Sequence, residues 1–106
     1  MEELIVEMRE LAPLLRCGFM PHEFELRGTK VSKLAHELAV KFRDADDNRA
    51  DLLQEVALHA TCLTVDMRAA AIDEGRIDAS QFPPLNQIYL NQTATLFEEA
   101  AQALSD

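Results

Sequence analysis

Residues Arg49 to Gly75 read RADLLQEVALHATCLTVDMRAAAIDEG. Leu53, Val56, Ala60, Leu63, Met67 and Ala70 recur there at steps of three and four, which places all six on one face of a helix. Held over about five turns, such a seam has a heptad-like period and packs at a shallow angle against another helix of like period. The N-terminal segment supplies one, because Met1, Leu4, Met8, Leu11 and Leu15 keep the same rhythm. After Gly28, Val31, Leu34, Ala35, Leu38, Ala39 and Phe42 mark a third inner face. From about Pro84 to Leu104, Leu85, Tyr89, Leu96, Ala100 and Ala103, widened by Ile88 and Phe97, mark a fourth. No run alternates in the manner of a strand. The expected fold class is all-α, a small bundle of about four main helices plus short helical turns, forming one helical interaction domain over residues 1–106.

Punctuation sets the expected boundaries. Gly18, Gly28 and Gly75 each sit where an apolar pattern runs out, as residues that end helices in the left-handed conformation do. Pro13 lacks an N–H and disfavours helix at Ala12, so a kink or a new short turn from Pro13 to Cys17 is expected. Pro21 suits the first position of a brief helix, and Thr29 or Ser32 can cap the next one beyond Gly28. Pro83 and Pro84 mark a loop before the last helix.

The stretch FRDADDNRADLLQE, Phe42 to Glu55, resembles a calcium loop on first sight. Counted from Asp44, it places Asp44, Asp46, Asn48 and Glu55 at ligand positions 1, 3, 5 and 12. Arg49 then stands where the loop needs glycine, and Leu52 stands where it needs an oxygen. The segment is instead expected to cap a helix through Asp46, Asp47 or Asn48, with Asp51 in the first turn where the helix dipole favours negative charge.

A chain of 106 residues is one domain that can fold without metal or disulfide. Its net charge of −9 repels phosphate backbones, so direct nucleic-acid binding is not expected. MEELIVEMRE at the start has neither a basic n-region nor an unbroken apolar core, and the expected location is cytoplasmic, with Cys17 and Cys62 as reduced thiols. His22, His36 and His59 do not pair at metal-ligand spacing, and HELAV from His36 has Val40 where the second ligand of HExxH would stand. His22, His59, Cys17 and Cys62 could meet only across helices. Glu2-Glu3 and Glu98-Glu99 diverge on a helix rather than converge on a substrate. No enzyme activity, no metal and no cofactor is expected.

Function is therefore sought on the surface. Arg27 to Arg43 holds five basic residues against one acidic residue, a local excess that could dock an acidic partner or be balanced by the protein's own carboxylates. The first helix carries Ile5 and Val6 beside its seam, and a helix apolar on more than one side is buried on more than one side. Leu4, Ile5, Val6, Met8 and Leu11, with Phe82, Leu85 and Tyr89, are the expected partner or self interface.

Taken along MEELIVEMRELAPLLRCGF, HATCLTVDMRAAAIDEG and FPPLNQIYL, the whole chain resembles the small bacterial quorum-sensing antiactivators in length, acidity and helical sequence. The resemblance implies a helical homodimer that binds the ligand-binding domain of a LuxR-type (LasR-like) transcription factor. Covering the receptor's dimerisation surface would deny it the two-fold arrangement that a paired DNA site requires. The likeness carries no functional residue over. The alternative class is a small acidic helical chaperone or immunity-type inhibitor that sequesters another protein.

Overall fold

The structure is a computed structural model that describes residues 1–17, 21–72 and 87–105. Four helices make it up: α1 (Glu2–Cys17), α2 (Pro21–Asp44), α3 (Arg49–Ile72) and α4 (Gln87–Ser105). Among the described residues there is no strand, and the all-α expectation holds. The bundle measures 44 × 20 × 20 Å.

Polar pairs between helices give the order. Arg27 of α2 reaches Glu7 and Lys30 reaches Glu3, so α2 climbs as α1 descends. Arg43 bonds Gln54 while Ser32 bonds Thr61, and Arg9 bonds Ser105 while Arg16 bonds Thr95, which makes α2 antiparallel to α3 and α1 antiparallel to α4. His59 of α3 stacks on Tyr89 of α4 with ring centroids 6.1 Å apart. The result is an up-down-up-down bundle in which α2 lies closest to α3 and α1 to α4. Buried positions of α2 and α3 include Ala35, Ala39, Ala57 and Ala60, small side chains that let helix axes approach.

The seam that starts at Leu53 is a core seam as far as its side chains are described: Leu53, Val56, Ala60 and Leu63 are buried. They join Leu4, Met8, Leu11, Leu15, Val31 and Phe97 in one cluster, with Leu34, Leu38 and Phe42 packed against it. In α4 the buried face is Leu90, Thr93, Ala94, Phe97, Ala100, Ala101 and Leu104. Ile88 and Ala103, expected on that face, are exposed. Leu85 lies outside the described residues, as do Gly18, Gly75, Pro83 and Pro84.

The expected boundary at Gly28 is absent, and no new element starts at Pro13. Pro21 does begin a helix, but α2 runs through Gly28 to Asp44, and Gly28 is buried in its middle. Thr29 caps nothing, because its hydroxyl donates back to the Glu25 carbonyl at 2.6 Å within the same helix. Glycine in a helix interior costs about 1 kcal/mol, and the ties from Arg27 and Lys30, on either side of Gly28, to α1 work against that loss. Likewise α1 passes through Pro13 without ending. Pro13 and Arg9 are exposed, so the Arg9 carbonyl that loses its donor faces water, while buried Leu11, Ala12 and Leu15 hold the chain in register.

The acidic stretch is a helix-to-helix corner. Asp47 N–H donates to the Phe42 carbonyl at 2.8 Å and Asp46 N–H to the Arg43 carbonyl at 3.1 Å, the paired bonds of a Schellman ending, with Asp46 left-handed at φ 57°. One residue later the Asp47 carboxylate accepts the Arg49 N–H at 3.0 Å and caps α3, with Asp51 in the first turn as expected. Arg49 in turn grips Asp47 through its guanidinium and lies 4.6 Å over the Phe42 ring. Because Asp46 bears the left-handed cost that glycine avoids, Asp46→Gly is expected to stabilise the fold by about 1 kcal/mol. In a thermal melt that is a rise of about 4 °C, and a fall would mean that the Asp46 side chain holds the corner.

Candidate interaction surface

Most of the expected interface is core. Leu4, Met8 and Leu11 are fully buried and Ile5 nearly so, all within the chain's own bundle. The apolar breadth of α1 is used at home against α4 and α2, which corrects the assignment of these four to a partner or self surface. Val6 remains exposed, Tyr89 is half-buried against His59, and Phe82 and Leu85 lie outside the described residues. The described members of the set do not form one exposed face.

The principle that pointed to α1 applies better to α3. Opposite its buried seam, α3 exposes Leu58 at 60% and Val65 at 58% of their full area. A helix apolar on both sides has a second use for its second side. With α2 it forms a long groove made of two shallow hollows, about 200 and 290 Å³, that share Ser32 and Thr61. Thr29, Ser32 and His36 line one wall, and Gln54, Leu58, Thr61 and Val65 the other. Among the described residues no carboxylate lines either hollow.

The hydroxyls of this groove are committed internally. Thr61 donates to the Ala57 carbonyl at 2.8 Å, Thr64 to the Ala60 carbonyl at 2.7 Å, and Thr29 to Glu25, while Ser32 and Thr61 share a bond of 2.6 Å across the two helices. A threonine bonded back to its own helix turns its oxygen toward the backbone and leaves its methyl to the surroundings. The face is thus more apolar than its composition suggests. Leu26 and Val40 on α2 are exposed as well.

The basic excess of α2 is divided. Arg27 and Lys30 are spent on α1: Lys30 Nζ lies 2.8 Å from Glu3, and Arg27 Nε lies 3.2 Å from Glu7. Arg43 bonds the neutral Gln54 amide. Lys33 and Lys41 have no ion pair among the described residues. Balance by the protein's own carboxylates therefore covers Arg27 and Lys30, while Lys33 shares its side of α2 with Glu37 one turn on.

These pairs set a pH window. The hydrogen bond and charge of Lys30 hold Glu3 below the usual carboxylate range, and the side-chain and backbone bonds of Arg49 do the same for Asp47. A carboxylate lowered in the folded state stabilises above its unfolded pKa and loses that contribution as pH falls through the folded value. Lys30 is raised by its bond to Glu3, so its contribution is complete below the unfolded lysine pKa and is lost as pH rises through the folded one. Melting temperature is expected to be level between about pH 5 and 10 and to fall on both sides. Each effect is small, since these groups are solvent-accessible. Glu3→Gln should lessen the alkaline fall that belongs to Lys30, leaving the smaller part held by Glu7, and an unchanged alkaline limb would disprove the pairing with Glu3.

No group of three potential metal ligands meets among the described residues, and Cys17 and Cys62 are both exposed. No helix among the described residues is long and apolar enough to cross a membrane. No family model, curated protein or solved structure matches the chain.

Proposed function

We propose that the chain is a protein-binding inhibitor, an antiactivator of the QslA kind that binds the ligand-binding domain of a LuxR-type (LasR-like) transcription factor and blocks its dimerisation. The observation that supports a binding role is the groove of α2 and α3, whose described lining carries no carboxylate and includes exposed Leu58 and Val65, on an otherwise acidic protein. A net charge of −9 cannot compete for DNA, but such a face can cover a protein surface while charged neighbours set the rate of encounter. The receptor and the homodimer come from the sequence resemblance. Inhibition on this reading is steric, because a receptor held as one subunit cannot span two half-sites.

Size-exclusion chromatography with light scattering tests it, on the protein alone and mixed with the lactone-bound ligand-binding domain of a LasR-like receptor. A complex holding a single receptor subunit is expected, and its mass also counts the copies of this chain. Two unshifted peaks would remove the receptor from the proposal.

A further inference from the structure

We draw no further inference here: the strongest candidate, the shallow groove between α2 and α3 lined by Ser32, Leu58, Thr61 and Val65, belongs to the surface already described, and nothing in the structure shows what covers it.

Discussion

Alanine at Leu4 is expected to lower the free energy of unfolding by about 2–5 kcal/mol, and alanine at Met8 by a similar amount. Both side chains are fully buried, so each truncation removes apolar contact and leaves a void that the helices around it fill only in part. They sit one turn apart on α1 and share the void, so the double variant will not be a simple sum. Against a typical stability of about 5–15 kcal/mol, the pair together brings the chain close to unfolding. Urea denaturation of each single variant gives the cost, and binding to the receptor domain is measured on the fraction still folded. Reduced stability with unchanged affinity per folded molecule is the expected result. A variant that melts like the parent but no longer binds would return α1 to the interface and undo the correction made from its burial.

Much of the bundle is written in its periodicities. The seam of α1 from Leu4 to Leu15, that of α3 as far as Leu63, and the inner face of α2 appear as the spacing predicts, because burial of an apolar stripe is what makes an amphipathic helix stable; Met1 is exposed ahead of α1. The misplaced boundaries have a common cause. Gly28 and Pro13 are local signals, and each is outweighed by tertiary packing that local propensity does not contain: buried Gly28, Val31 and Ala35 in one case, buried Leu11 and Leu15 in the other. The face of α4 is legible in part: Phe97 and Ala100 are buried and Tyr89 and Leu96 pack against the core as expected, but apolar residues nearly encircle the helix and only packing distinguishes buried Leu90 from exposed Ile88. The candidate surface was harder to see. Ser32, Thr29, Thr61 and Thr64 read as polar in sequence, and only the structure reveals that their hydroxyls are already bonded to the protein itself. The usable signal was in plain view, since Leu58 and Val65 lie off the seam that opens at Leu53.

Glutamate at Leu58 or at Val65 is expected to weaken binding to the receptor domain by about 30-fold or more, the scale of a hot-spot residue, without lowering the melting temperature by more than a degree or two. The two halves of that expectation rest on different physics. More than half of each side chain already meets water, so little burial is lost when it changes, and glutamate is a good helix former on an exposed face. In a complex the same positions would place a carboxylate in an apolar contact beside Glu55, where it would lose hydration without gaining a partner. Ile88→Glu supplies the control, being as exposed as Leu58 but on α4 and away from the groove, and it should leave binding unchanged. Isothermal titration calorimetry on the three variants separates the cases. If Leu58→Glu and Val65→Glu bind normally while Ile88→Glu does not, the interaction surface lies on α4, and the groove of α2 and α3 is solvent-exposed decoration of a bundle that binds elsewhere.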